Sequence, residues 1–157
     1  MQRVLFVCLG NICRSPTAHG VFEHMVHERG LSELIEVDSC GTGAWHVGEA
    51  PDTRSQAEAR ARGYELSHLR ARQLERSDFK RFDYILVMDR QNLSDAQRLC
   101  PGDYPGRLSL FLDFAKSAIK EVPDPYYGGK AGFAQVLDLV ESASEGLLDE
   151  IEPKLSK

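Results

Sequence analysis

Hydrophobic and polar positions follow two different periods along this chain, and each change of period predicts a new element. Short apolar runs predict buried strands at residues 4–7, 35–39, 84–88 and 107–111. The first run is rich in β-branched residues and ends in a loop that contains Gly10 and Asn11. Apolar residues at helical spacing fill the segments between these runs, so the chain alternates between strand and helix.

The predicted helices have recognisable ends. The first carries Pro16 near its start and Gly30 just past its end, with an apolar face at helical spacing. A second is predicted over residues 52–62, with Asp52 as N-cap and Gly63 as stop. Residues 90–99 and 133–151 predict two more, the last a long amphipathic helix.

This alternation predicts one domain over residues 1–157, built on a parallel sheet that helices cover on both faces. In such sheets, ligands bind beyond the carboxyl ends of the strands. Unusual residues fall at those ends: residues 8–14 follow the first strand, residues 39–43 the second, and Asp89 the third.

Net charge and composition limit the functions and locations that the sequence allows. The net charge of -5 argues against a broad nucleic-acid surface, which needs a basic stripe. No apolar run approaches the roughly 20 residues of a membrane helix, and no secretory signal is recognisable, so we expect a cytoplasmic protein without membrane insertion. The four cysteines, Cys8, Cys13, Cys40 and Cys100, are then expected to be reduced thiols.

Residues 7–16 predict a strand, a tight loop and the start of a helix. Such a loop points backbone N–H groups inward to form an anion nest, and the helix N-terminus adds partial positive charge. Arg14 supplies a planar fork that matches two phosphate oxygens. Gly10 lets the chain turn, and Asn11 tolerates a left-handed conformation. The segment therefore predicts a phosphate-binding loop.

Cys8 stands at the start of this loop, under the position of the anion. The donors that hold a phosphate also stabilise a thiolate, and a thiolate is a nucleophile suited to attack on phosphorus. Ser15 is placed to donate its hydroxyl to the Cys8 sulfur. The alternative is a buried apolar thiol at a strand end. A nucleotide P-loop does not fit, because its lysine is absent.

Asp124 precedes a proline, which biases its backbone towards an extended shape. An aryl phosphatase needs an acid to protonate the leaving oxygen, and Asp124 is the candidate. Tyr126 and Tyr127 follow at once and are expected to form walls for an aromatic ring. The alternative is an ordinary Asp-Pro turn with surface tyrosines.

These two motifs, together with residues 41–48 and 82–89, resemble the low-molecular-weight protein tyrosine phosphatases over nearly the whole chain. The resemblance implies an α/β fold: a four-stranded parallel sheet flanked by helices on both faces, a flavodoxin-like three-layer sandwich. It also implies a protein-tyrosine phosphatase that needs no metal and no cofactor. Its partners would be phosphotyrosine protein substrates, and its product inorganic phosphate.

Carried over by position, the resemblance makes Cys8 the nucleophile, Arg14 the residue that binds the phosphoryl group, and Asp124 the general acid and then the base. Trp45 is expected to flank the mouth and stack on the substrate ring. Asn11 would hold the loop, with Ser39 and His68 as hydrogen-bond partners. The expected substrate-binding residues are Leu9, Gly10, Asn11, Ile12, Cys13, Ser15, Trp45, Tyr126 and Tyr127.

Several alternatives stay open. Cys13 is either a small buried filler or the partner of Cys8 in a protective reversible disulfide, which the resemblance supports. A thiol-dependent arsenate reductase needs two further cysteines in a mobile segment, and only Cys40 and Cys100 remain, far apart. A phosphoarginine phosphatase usually has threonine where Ile12 stands and lacks the tyrosine pair. A non-catalytic phosphotyrosine-binding module is expected to lose the nucleophile or the acid.

Overall fold

The computed structural model describes residues 1–126 and 129–155, and a four-stranded parallel sheet lies at its centre. The strands are β1 (Gln2–Cys8), β2 (Ile35–Gly41), β3 (Tyr84–Val87) and β4 (Arg107–Leu110), in the order β2-β1-β3-β4. All four predicted strands are confirmed, with small shifts at their ends. Because β1 pairs with both β2 and β3, its carboxyl end lies at the middle of the sheet edge.

In the part of the chain that the structure describes, five α-helices connect and cover the strands: α1 (Arg14–Glu28), α2 (Thr53–Ala61), α3 (Asp78–Arg81), α4 (Arg90–Gln97) and α5 (Lys130–Ile151). Short 3-10 turns follow at Phe111–Phe114 and Glu152–Lys154. The one-turn α3 was not predicted, because four residues are too few to show a period. None of the helices within residues 1–126 and 129–155 is long and apolar enough to span a membrane.

Successive side chains of β1 point to opposite faces of the sheet. Val4 and Phe6 are buried with apolar residues of α1 and α5, whereas Leu5 and Val7 are buried with residues of α3 and α4. This arrangement confirms the three-layer α/β fold. Phe111 was predicted as the end of the fourth strand, but it begins a 3-10 turn. The turn lets its ring pack edge-on against Phe6, with the centroids 4.9 Å apart.

The helix ends follow local capping chemistry. The carboxylate of Asp52 accepts a hydrogen bond from the N–H of Arg54 over 2.8 Å, which confirms it as the N-cap of α2. Gly63 follows α2 with a φ of 92°, as expected of a stop residue. Asp89 caps α4 by accepting from the N–H of Asn92 over 2.7 Å, which fixes this carboxylate at the carboxyl end of β3.

Candidate active site

The loop between β1 and α1 turns at Asn11, whose φ of 58° is the only positive value at a non-glycine residue in the described part of the chain. The N–H of Asn11 donates to Sγ of Cys8 over 3.2 Å. Its side-chain amide donates to Oγ of Ser15 over 2.8 Å, and its Oδ1 accepts from the N–H of Arg72 over 3.0 Å. Hydrogen bonds on both sides of Asn11 therefore hold the loop in this unusual conformation.

Neighbouring main chain braces the rest of the loop. The N–H groups of Thr42 and Gly43 donate to the carbonyl oxygens of Cys8 and Leu9, both over 2.9 Å. On the other side, the N–H of Asp52 donates to the carbonyl oxygen of Ile12 over 2.7 Å. A Cβ at Gly41 would lie 2.7 Å from the carbonyl oxygen of Leu9, so glycine is required for β2 to come this close.

The Cys8 sulfur lies among donors. Oγ of Ser15 is 3.0 Å from it and 3.2 Å from the carbonyl oxygen of Cys40. Ser15 has one hydroxyl proton, and its oxygen already accepts from Asn11. Charged acceptors form the stronger hydrogen bonds, so an ionised Cys8 draws this proton to itself. The thiolate then accepts two hydrogen bonds, from the Asn11 amide and the Ser15 hydroxyl.

The start of α1 adds a further electrostatic contribution. Cys13 is the N-cap residue, and its side chain makes no capping hydrogen bond. The N–H groups of Arg14 and Ser15 are therefore left uncapped by that side chain, at the positive end of a helix of 15 residues. Such an end attracts anions, so it favours a phosphate at this loop.

Arg14 is a buried cation, only 3% exposed, and carboxylates surround it. Its Nη1 donates to Oδ2 of Asp89 over 2.6 Å and to the carbonyl oxygen of Val122 over 3.0 Å, while its Nη2 lies 3.7 Å from Oδ2 of Asp124. Burial acts to lower the pKa of the guanidinium, but the negative charges of Cys8, Asp89 and Asp124 outweigh it and raise that pKa. Arg14 is therefore held charged and fixed in direction.

Asp124 lies on the loop that follows β4 and its 3-10 turn. The N–H of Val122 donates to the carbonyl oxygen of Met88 over 2.8 Å, which ties this loop to the end of β3. Oδ1 of Asp124 accepts from the N–H of Tyr126 over 3.0 Å, and its side chain is 44% exposed. The carboxyl group is thus positioned near Arg14 while it still reaches solvent. Tyr127 lies outside the described residues.

One cavity of about 380 Å³ brings most of these residues together. Cys8, Cys13 and Arg14 are buried, whereas Trp45 and Tyr126 are exposed, so the cavity runs from solvent to the sulfur. Its walls are mainly apolar, which suits an aromatic ring. The lining residues are Cys8, Leu9, Gly10, Ile12, Cys13, Arg14, Trp45, His46, Asp124 and Tyr126.

Trp45 stands at the mouth of this cavity, where the sequence predicts it, with 72% of its surface exposed. Its ring lies directly on Gly43, where a Cβ would be 1.9 Å from a ring carbon. The missing side chain at Gly43 therefore lets the indole lie against the main chain. His46 also lines the cavity, and its Nδ1 is 2.9 Å from Oε2 of Glu49. Stacking of Trp45 on a substrate stays a prediction.

Tyr126 has a neighbour that sequence reasoning did not find. The guanidinium of Arg54 lies 5.5 Å from the centre of the Tyr126 ring and 4.7 Å from that of Phe133. The same guanidinium donates to both carboxylate oxygens of Asp52. Arg54 therefore stacks on the wall of the cavity next to Asp124. The only feature of the sequence that points to Arg54 is its position two residues after the N-cap of α2.

The predicted partners of Asn11 need correction. Ser39 and His68 were expected to bond it, but Asn11 bonds Ser15 and the main chain of Arg72 instead. Oγ of Ser39 lies 2.9 Å from Nδ1 of the buried His19, on α1. His68 is exposed. The physical reason is that the segment after His68 brings the backbone of Arg72 against the loop and leaves the histidine at the surface.

The remaining cysteines differ from Cys8 in their surroundings. Burial raises the pKa of Cys13 to about 12, although a hydrogen bond from Ser55 acts in the opposite direction. Burial also raises the pKa of Cys40 well above its ordinary value. Both are therefore neutral thiols near pH 7. All four cysteines are free, and the disulfide between Cys8 and Cys13 stays a prediction.

Asp89 is a second residue whose role was not predicted. It was noted only as an unusual residue after the third strand, yet its two oxygens hold the N-terminus of α4 and the guanidinium of Arg14. A carboxylate that both caps a helix and orients a buried arginine cannot be recognised without knowing which strands are neighbours. Among the residues that the structure describes, no group of three metal-ligating side chains is assembled.

Comparison with known proteins gives a consistent result. A family model described as low molecular weight phosphotyrosine protein phosphatase matches residues 3–157. A low molecular weight protein-tyrosine-phosphatase of Streptomyces coelicolor is 45% identical over 150 residues, covering 93% of this chain and 91% of its own. A low molecular weight phosphotyrosine protein phosphatase of Schizosaccharomyces pombe is 46% identical over 151 residues, covering 95% and 96%. The crystal structure of a protein tyrosine phosphatase from Entamoeba histolytica superposes with a TM-score of 0.94 at 40% identity, covering 98% and 99%.

Proposed function

Because this chain belongs to the low molecular weight phosphotyrosine protein phosphatases and is a hydrolase of phosphotyrosine, we propose that Cys8, Arg14 and Asp124 carry out its reaction. The observation that carries the proposal is that one cavity joins all three. At its inner end the Cys8 sulfur accepts from the Asn11 amide and lies within hydrogen-bond distance of Ser15. The proposed nucleophile, anion-binding residue and acid thus line the same cavity.

In the first step, the Cys8 thiolate attacks phosphorus on the side opposite the tyrosyl oxygen. A sulfur–phosphorus bond forms and the bond from phosphorus to the tyrosyl oxygen breaks. Asp124, in its protonated form, gives its proton to that oxygen, so tyrosine leaves as a neutral phenol. Arg14 and the amides of the loop hold the phosphoryl oxygens as charge spreads over them.

In the second step, water replaces the sulfur at phosphorus. Asp124, now ionised, takes a proton from the attacking water, which releases inorganic phosphate and regenerates its own acid form. The departing sulfur becomes a thiolate again. Ser15 favours this departure, because its hydroxyl lies 3.0 Å from the sulfur and donates to the thiolate. Asn11 keeps Ser15 in place through its side-chain amide.

The alternative chemistries are not favoured. Arsenate reduction requires two further cysteines in a mobile segment, yet Cys40 is fully buried in the core and Cys100 lies beyond α4. A phosphoarginine substrate offers a leaving nitrogen rather than an aryl oxygen, and the cavity presents Ile12, Trp45 and Tyr126 to an aromatic ring. A module that only binds phosphotyrosine has no use for an acid in the same cavity as the sulfur.

The proposal includes a cellular location and a class of partner. A thiolate nucleophile needs a reducing compartment to remain active, which supports a cytoplasmic location. The partners are proteins that carry phosphotyrosine, and the small product is inorganic phosphate. The net charge of -5 gives no support to nucleic-acid binding.

The test compares the parent with Cys8→Ser on p-nitrophenyl phosphate and on a phosphotyrosine peptide, with Cys100→Ser as the matched control. We expect Cys8→Ser to lose turnover yet still bind inorganic phosphate, and Cys100→Ser to match the parent. Phosphoarginine, and arsenate supplied with thioredoxin, are offered to the parent in parallel. A Cys8→Ser protein with full activity, or a parent that prefers phosphoarginine, overturns the proposal.

A further inference from the structure

We infer that a second cleft beside the reaction cavity receives an aliphatic side chain that neighbours the phosphotyrosine in protein substrates. This flanking cleft, as we call it, is bounded by Leu9, Trp45, Leu74, Arg98 and Leu99 and has a volume of about 390 Å³. The inference rests on the proposed function, since it assigns a place to the residues that come with the phosphotyrosine.

The flanking cleft lies next to the reaction cavity, because Leu9 and Trp45 line both. These are also two of the largest exposed apolar side chains described, with 40% and 72% of their surfaces accessible. A large apolar surface that stays exposed marks a place where a partner binds. A peptide whose phosphotyrosine enters the reaction cavity therefore passes directly over the walls of the second cleft.

The apolar side of the cleft suits an aliphatic occupant, and Thr42 and Gln73 add uncharged polar groups to its wall. Leu74 and Leu99 pack against the apolar core beneath it and form an apolar surface. The charged residues in its lining are Asp95 and Arg98, which form an ion pair with each other across 3.5 Å. A charged side chain in the cleft would gain little from this pair and would lose part of its hydration. Leucine, isoleucine or valine meets no such cost.

The spacing of residues in a substrate peptide is consistent with this assignment. Neighbouring Cα atoms in a peptide are about 3.8 Å apart, so a residue one or two positions from the phosphotyrosine lies within the span of one side chain from Trp45. A small aryl phosphate has no such neighbour and fills only the reaction cavity. The flanking cleft should thus affect peptide substrates and leave small substrates unaffected.

The experiment uses phosphotyrosine peptides in matched pairs that differ only by leucine or serine, at each of the two positions before and after the phosphotyrosine. We expect leucine at one of these positions to raise kcat/KM about 3- to 10-fold, the size expected for burying part of one aliphatic side chain. Equal values at all four positions, within about a factor of 1.5 on that same burial scale, would overturn the inference.

Two variants link the preference to the cleft. Leu99→Ser removes part of the apolar surface, and Arg98→Ser removes the aliphatic stem of a side chain that is 73% exposed, so it tests the cleft even if Leu99→Ser folds poorly. Both should bring the leucine-to-serine ratio close to one while kcat/KM for p-nitrophenyl phosphate is unchanged. Ile119→Ser, an exposed apolar residue elsewhere, is the control and should keep the parent ratio.

The outcomes separate this inference from the proposed function. Loss of p-nitrophenyl phosphate hydrolysis in Cys8→Ser, together with no leucine preference in the parent, refutes the flanking cleft alone. A leucine preference that persists in Arg98→Ser and in a folded Leu99→Ser also refutes it. An unchanged rate in Cys8→Ser refutes the assignment of the nucleophile, whatever the peptides show.

Discussion

The main-chain N–H of Arg72 donates a hydrogen bond to Oδ1 of Asn11 over 3.0 Å, across 61 positions of the sequence. The guanidinium of Arg72 is held in turn by Asp38 and Asp78, each at 3.0 Å, and its carbonyl oxygen accepts from the N–H of Gly41. A left-handed conformation costs a non-glycine residue about 1–2 kcal/mol. The loop between β1 and α1 is therefore stabilised from outside, by an arginine whose own position is fixed by two carboxylates.

Removing one of these carboxylates should weaken the loop. Asp78 is 5% exposed and also accepts from the N–H of Glu75 over 2.8 Å. We expect Asp78→Ala to lower the free energy of unfolding by about 1–3 kcal/mol, because it leaves buried donors unpaired. Urea unfolding measures this. Arg81→Ala, which breaks a more exposed ion pair to Glu36, is the control and should cost less. Equal losses in the two variants would contradict the role given to Asp78.

Arg14 should not tolerate lysine. Lysine keeps the charge but cannot keep the planar fork that the contacts to Asp89 and Val122 now hold in direction. We expect Arg14→Lys to lower kcat/KM for p-nitrophenyl phosphate by about 10²–10³-fold, comparable to the loss of one donor from an oxyanion site. Vanadate should bind more weakly as well. A lysine variant within a few-fold of the parent in both measurements would show that the fork is not needed.

Asp124→Asn should affect substrates according to their leaving group. The acid is needed most when the departing phenol is basic, because a poor leaving group requires its proton in the transition state. We expect kcat to fall about 10²–10⁴-fold for phenyl phosphate and less for aryl phosphates with more acidic phenols. Steady-state rates over a series of aryl phosphates give the slope. If the parent and the variant show the same slope, Asp124 is not the acid.

Stability at high pH should depend on Cys13. Its pKa rises from the ordinary 9.0 to about 12 in the folded protein. Above pH 9 the unfolded thiol loses its proton while the folded one keeps it, so stability falls as pH rises through this window. The slope is at most about 1.4 kcal/mol per pH unit.

Urea unfolding of the parent and Cys13→Ala, measured in reductant from about pH 8 to pH 11, tests this dependence. The parent should lose stability faster than the variant above pH 9, and the two should run parallel below it. Parallel curves over the whole range would mean that the folded protein does not suppress ionisation of Cys13.

The sequence was sufficient to predict those features whose signal lies in neighbouring residues. Residues 7–16 contain the strand, the loop and the helix start together, so the loop that carries Cys8 and Arg14 could be predicted from neighbouring residues. Asp52 was recognised as a cap because a cap acts within its own first turn. Trp45 was expected at the mouth from the family resemblance, and the glycine-rich turn at the end of β2 beside it supported that expectation.

Long-range partners were not predictable in the same way. Asp89 meets Arg14 only because β1 and β3 are neighbours in the sheet, and Arg72 meets Asn11 only because its segment runs beside β2. His68 was chosen as the partner of Asn11 by position in the chain. In the structure, Oδ1 of Asn11 accepts instead from the main-chain N–H of Arg72. A main-chain donor has no sequence signature, because every residue except proline carries one.

The most direct measurement is to stop the enzyme with acid during turnover of p-nitrophenyl phosphate and to locate the covalently bound phosphate by mass spectrometry. The account predicts phosphate on the sulfur of Cys8, and more of it in Asp124→Asn, where water is activated poorly. Phosphate on another residue such as Cys13, or none at any time while p-nitrophenol is released, would contradict it.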